Sequence, residues 1–170
     1  HLNNRNKLGL ALELGKSEGR KIFLELAKVS NVVAENWSPR VMKSLGLDYP
    51  NLRKVKPDII MVSSTGFGHT GPYTDNVAIA WTIAAMSGLT SISGYSDKPI
   101  TTRVPWPDCV GAVAAAFAVL AALRYHKHTG KGQWIDLSQY EAMVATLPEM
   151  TMDYVMNGRV QSGMGNRDAF

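Results

Sequence analysis

The stretch SEGRKIFLELAKVSNVVAENWSPRVMKSLGLDYPNLRKVKPDIIMVSST, residues 17–65, decides the fold class. Ile22, Phe23, Leu26 and Ala27 recur at helical spacing, so residues 17–29 read as a helix with Ser17 as its cap. Val32-Val33-Ala34 is the apolar centre of a short strand, Asn31 to Glu35. A turn follows at Asn36-Trp37-Ser38-Pro39, and Pro39 suits the first position of a short helix that Gly46 ends after Leu45. Tyr49 to Val55 reads as another short helix. Ile59 to Ser64, flanked by Pro57-Asp58 and Gly66, reads as a buried strand. Strands alternating with helices in this way predict an α/β domain with a mostly parallel sheet.

Outward from that stretch the pattern continues. Leu8 to Leu14 alternates like a strand. Gly66-Phe67-Gly68-His69-Thr70-Gly71-Pro72-Tyr73 is a loop richer in glycine than a connector needs, which suits close approach of backbone to a ligand. Val77 to Met86 reads as helical, and Leu89 to Arg103 as irregular with a hairpin across Gly94 to Lys98. An Ala-rich helix runs from Asp108 to about His126, and its stretch Val110 to Leu123 reads as buried. Thr129-Gly130-Lys131-Gly132 is a turn, Gln133 to Leu137 a strand, and Gln139 to Asn157 a last helix that Gly158 ends.

With 170 residues, the chain suits one domain with a sizeable core. Apolar residues make up 45% and charged residues 19%, and the net charge of +4 is spread rather than gathered in an arm. That distribution argues against a duplex nucleic-acid partner and fits a small anionic ligand. The longest apolar run is read as too short to span a bilayer, and His1-Leu2-Asn3-Asn4-Arg5 has no apolar leader. A lone cysteine, Cys109, fits a reducing compartment, so the cytoplasm is the expected location. Cys109 itself reads as a small buried residue. No Cys/His cluster has metal-ligand spacing, and His69 reads as a surface loop residue. His126 and His128 complement the end of the Ala-rich helix. The start just before a strand and the closing loop Gly163 to Asp168 suggest part of a longer protein.

The chemistry centres on Arg103-Val104-Pro105-Trp106-Pro107-Asp108-Cys109-Val110-Gly111, where a carboxylate stands at the start of the apolar helix. Free N–H groups and the helix dipole favour a negative charge there. Asp108 reads either as a plain N-cap or as a nucleophile aimed at an electrophilic carbonyl.

Several blocks occur in order: Asn4-Arg5-Asn6-Lys7, Leu12-Glu13-Leu14, Glu18-Gly19, Val33 to Pro39, Leu45-Gly46-Leu47, and the Gly66 to Tyr73 loop. Ser87-Gly88-Leu89, Asp108, Ala121-Ala122-Leu123-Arg124 and Thr129 to Gln133 complete the series. Together they resemble the family III CoA-transferases, the formyl-CoA and carnitine CoA-transferase group, over nearly the whole chain. The resemblance implies a Rossmann-like, mostly parallel sheet with flanking helices. It makes residues 1–170 an incomplete large domain, without the family's N-terminal start, small domain or C-terminal part. It also implies an interlocked homodimer for the full-length protein.

The same resemblance implies that coenzyme A passes from an acyl-CoA to a small carboxylic acid through an aspartyl anhydride and thioester on Asp108. Coenzyme A is then a substrate, and no cofactor or metal is expected. Asn36 and Trp37 match a family pair beside the CoA, and Leu12 matches an adenine-side contact. The family's lysine near that leucine falls on Gly15, which leaves Lys16 as its substitute. A family arginine falls on Ser44, which leaves Arg40 or Lys43. Gly66, Phe67 and Gly68 would line the pantetheine path or support Asp108. Racemases of the same superfamily add a second acid–base residue, but Asp, Glu and His are all absent between Asp75 and Asp97, which weakens that alternative. An inactive fragment that only binds a nucleotide or a partner is the other alternative.

Overall fold

The computed structural model describes residues 4–100 and 103–167. The expectations for His1 to Asn3 and for Asp168 lie outside them. Along the chain run α1 (Ser17–Val29), β1 (Val32–Glu35), α2 (Arg40–Leu45), α3 (Tyr49–Val55), β2 (Ile60–Thr65), α4 (Ala80–Met86) and α5 (Leu89–Ile92). There follow β3 (Gly94–Tyr95), β4 (Lys98–Pro99), α6 (Trp106–Thr129), β5 (Trp134–Ser138), α7 (Gln139–Val144) and α8 (Pro148–Asn157).

The main sheet has the order β1-β2-β5, and both pairings are parallel. Glu35 stands opposite Ser63, and Ser63 opposite Asp136. β3 and β4 form the antiparallel hairpin read from the sequence. One face of the sheet is closed by a core of Ala27, Val33, Met42, Leu47, Leu52, Ile59 and Met61, with Phe23, Leu24 and Tyr49 packed against it. This core joins α1, α2 and α3 to β1 and β2. α6 packs on the sheet too, touching β2 and β5, with α4 and α7 beside it. A parallel sheet needs helical crossovers, and covering both faces explains the near-continuous apolar run Ile59 to Val62, which is buried throughout.

Five expectations need correction. Leu8 to Leu14 pairs with no strand among the described residues, and Leu8 and Leu10 are exposed. Alternation alone does not make a strand; an edge must accept it. This segment instead passes to α1 as an irregular run, held where Arg20 Nη1 donates to the carbonyls of Leu14 and Gly15 at 3.0 and 2.9 Å. Lys16 rather than Ser17 occupies the N-cap of α1. α4 begins at Ala80 rather than Val77. The last helix is two helices, because Pro148 keeps Leu147 out of helical geometry, at φ −121° and ψ 49°.

The fifth concerns α6. It was expected to be buried, yet Val113, Phe117 and Leu120 are 72%, 75% and 66% exposed on its outer face. Apolar composition all round a helix gives no direction, so the sequence could not say which side is covered. The same 24-residue helix is long and apolar enough, by length and composition, to cross a membrane, contrary to the expectation from its uninterrupted apolar run. Its inner face nevertheless packs on β2 and β5 as a crossover helix.

Candidate active site

The carboxyl ends of parallel strands are where α/β sheets bind ligands. Here those ends open on a cleft of about 560 Å³ walled by Lys7, Ala34, Glu35, Asn36, Val62, Ser64, Asp108, Ala112, Ala115 and Gln139. β1 delivers Glu35 at its last residue and Asn36 just after it. β2 delivers Ser64 and β5 leads into Gln139. α6 contributes Asp108 and, one and two turns on, Ala112 and Ala115.

Asp108 is the third residue of α6, not its N-cap, which is Pro105. Its backbone N–H donates to the Pro105 carbonyl at 3.0 Å. Buried Pro107 anchors the turn beneath it. The carboxylate is exposed and has no side-chain hydrogen bond or ion pair among the described residues, so both oxygens are available to a ligand. A first-turn carboxylate is favoured by the helix dipole. The small residues Gly111, Ala112 and Ala115 keep this part of α6 narrow. A Cβ on Gly111 would lie 2.9 Å from Gln139 Cγ, so glycine is what lets Gln139 pass α6. The Gln139 amide then reaches Ser64 Oγ at 3.5 Å.

Glu35 was not singled out from the sequence. Its Oε2 accepts the Trp37 N–H at 2.9 Å, while its Oε1 is closed off from water and has no hydrogen-bond partner among the described residues. The signal was present in the sequence as an acidic residue ending a strand at the turn that carries Asn36 and Trp37.

Asn36 also borders a smaller cavity of about 80 Å³ with Trp37, Thr65, Gly66 and Phe67. The glycine-rich loop therefore meets the Asn36–Trp37 turn. Gly66 is required there, since a Cβ would fall 2.0 Å from Ala78 Cβ. Gly68, at φ 82°, packs near Asp136 and Ser138. Leu12 is half-buried before α1, and Lys16 and Lys43 are exposed. Arg40 pairs with Asp75. Among the described residues, the walls of the Asp108 cleft include none of Leu12, Lys16, Arg40, Lys43, Trp37 or the loop glycines.

Two other residues, His69 and Cys109, differ from expectation, and His126, in the last turn of α6 as expected, has a partner besides. His69 is no free surface residue: its N–H donates to both Asp136 carboxylate oxygens, at 3.1 and 3.0 Å, and its Nδ1 lies 3.1 Å from Oδ1. Its ring also meets Trp134 edge-on. This clamp ties the loop after β2 to β5. His126 contacts Asp58 Oδ2 at 2.9 Å, joining α6 to the residues before β2. Cys109 is exposed, because it faces outward beside Asp108 on the uncovered side of α6.

The family model for CoA-transferase family III matches residues 1–169. An acetyl-CoA:oxalate CoA-transferase from Acetobacter aceti is 36% identical over 98% of this chain and 43% of its own length. A succinate–glutarate CoA-transferase from Agrobacterium fabrum is 34% identical over 98% of this chain and 42% of its own length. The crystal structure of a CAIB/BAIF family protein from Brucella suis superposes with a TM-score of 0.92 at 33% identity, covering 96% of this chain and 43% of that one. The chain thus spans less than half the length of these relatives. With a match over nearly every residue and the same fold, the chain belongs to CoA-transferase family III.

Proposed function

We propose that this chain is the Asp108-bearing part of an enzyme that moves coenzyme A from an acyl-CoA to a small carboxylic acid. The observation that carries the reading is the Asp108 carboxylate, unpaired among the described residues, on the first turn of α6, opening on the cleft at the carboxyl ends of β1 and β2. In the reaction we propose, an Asp108 oxygen attacks the thioester carbonyl. The C–S bond breaks, leaving a mixed anhydride and CoA thiolate. The thiolate attacks the aspartyl carbonyl and expels the donor acid as its carboxylate, giving an aspartyl-CoA thioester. The acceptor carboxylate then repeats the steps in reverse order, and Asp108 is restored. No proton is gained or lost overall, so no general base has to be assigned. Covalent relay splits one difficult exchange into easier steps.

Asn36 and Gln139 supply amides on the cleft walls for the ligand's polar groups, and Lys7 supplies a cation. Coenzyme A enters as substrate, and the steps call for no resident cofactor. The relatives named for oxalate and glutarate support a small carboxylic acid as acceptor class.

The test is steady-state CoA transfer in the full-length protein. Parallel double-reciprocal lines for donor and acceptor are expected, and Asp108→Asn should lower kcat by at least about a thousandfold, the scale of losing a covalent nucleophile. Retention of most activity in Asp108→Asn would overturn the reading.

A further inference from the structure

The Glu35 carboxylate is only half used. Oε2 takes the Trp37 N–H, and Oε1 is buried with no donor among the described residues. Holding the turn needs one acceptor, which a neutral amide oxygen supplies as well as a carboxylate. A buried carboxylate oxygen without a donor is a cost that the turn alone does not repay. The residue borders the same cleft as Asp108, and it is followed at once by Asn36, whose amide lines that cleft. We propose that Glu35 is a positioning residue of the acyl-CoA site: its charge fixes the Asn36–Trp37 turn in the ligand-bound enzyme, where Oε1 takes up a second N–H donor from that turn.

The inference rests on the proposed function and deepens it. Because Oε1 is closed to solvent, Glu35 acts through the turn and not by touching the reacting atoms. The charge therefore matters to binding of the CoA portion and not to the covalent steps. Charge-assisted hydrogen bonds are stronger than neutral ones, so an isosteric Gln keeps the turn but weakens its bound form.

The experiment compares Glu35→Gln with the full-length parent. Expected is a rise of about five- to tenfold in KM for the donor acyl-CoA, with kcat and the acceptor KM within twofold and an unchanged melting temperature. An unchanged donor KM in a folded Glu35→Gln variant overturns the proposal, as does a fall in kcat at constant KM. Should the variant not fold, the parent answers the question by itself. Amide hydrogen exchange across residues 35–39 should slow at saturating coenzyme A, and exchange unaffected by coenzyme A overturns the proposal. If the parent transfers no coenzyme A but Asp108→Asn and the parent bind it equally, the enzyme reading fails separately, while exchange unaffected by coenzyme A is what overturns the role of Glu35.

Discussion

At the scale of single residues, several polar contacts join points far apart in the chain. His69 and Asp136 are 67 positions apart, and His126 and Asp58 are 68 apart. Nothing in local pattern marks such pairs, so the loop histidine reads as a surface group and the helix-end histidine only as a complement to its helix terminus until the sheet brings their partners close. The place of Asp108 on the first turn of α6 was legible, because carboxylate, helix start and apolar run are all local features. Asp58 makes a testable prediction. The hydrogen bond from His126, and then that from Lys56, hold its carboxyl below the usual value of 3.8. A carboxyl lowered in the folded state stabilises it above the unfolded pKa, and that contribution is lost as pH falls through the folded pKa. The urea midpoint of the parent should therefore exceed that of Asp58→Asn near pH 6, with the gap closing as pH is lowered to 3. A gap that stays constant over this range would contradict the account.

Elements whose periodicity also had a partner were readable from sequence. α3, the β1 and β2 strands, the β3–β4 hairpin and the Gly46 and Gly158 helix ends all stand within a residue or so of expectation. Failures came where pattern existed without a surface to receive it, as in Leu8 to Leu14, or where one residue interrupted a pattern, as Pro148 does between α7 and α8. The joint between α6 and β5 shows how tightly an element can be placed. A Cβ on Gly132 would lie 2.1 Å from the Ile59 carbonyl oxygen and 2.6 Å from the Asp58 carbonyl carbon, both of them backbone. Gly132→Ala must push β5 away from β2, and overpacking of this kind costs about 1–3 kcal/mol. Gly9→Ala, with nothing within 4 Å of the new methyl group, is the control. Chemical denaturation should show a lower midpoint for the first variant and none for the second.

For the molecule as a whole, the uncovered side of α6 is the dominant feature. Trp106, Cys109, Val110, Val113, Ala114 and Phe117 line an apolar groove of about 580 Å³ together with Ala142 of α7 and the residues just after that helix. Relatives more than twice as long carry further segments, and composition gave no hint that this face lies open in the 170 residues. Exposed apolar patches of this size bind dyes and promote association. The 170-residue chain should bind the dye ANS strongly and self-associate on gel filtration, and Phe117→Glu should reduce both. The same substitution in the full-length protein would be destabilising if the face is covered there. Covalent acylation of Asp108, the step on which the proposed transfer depends, is read by intact mass after acyl-CoA and borohydride treatment. Expected are loss of one oxygen and gain of two hydrogens at Asp108 in the full-length protein, and no change in Asp108→Ala. A folded, CoA-binding protein whose Asp108 stays unmodified under the same treatment would contradict that step.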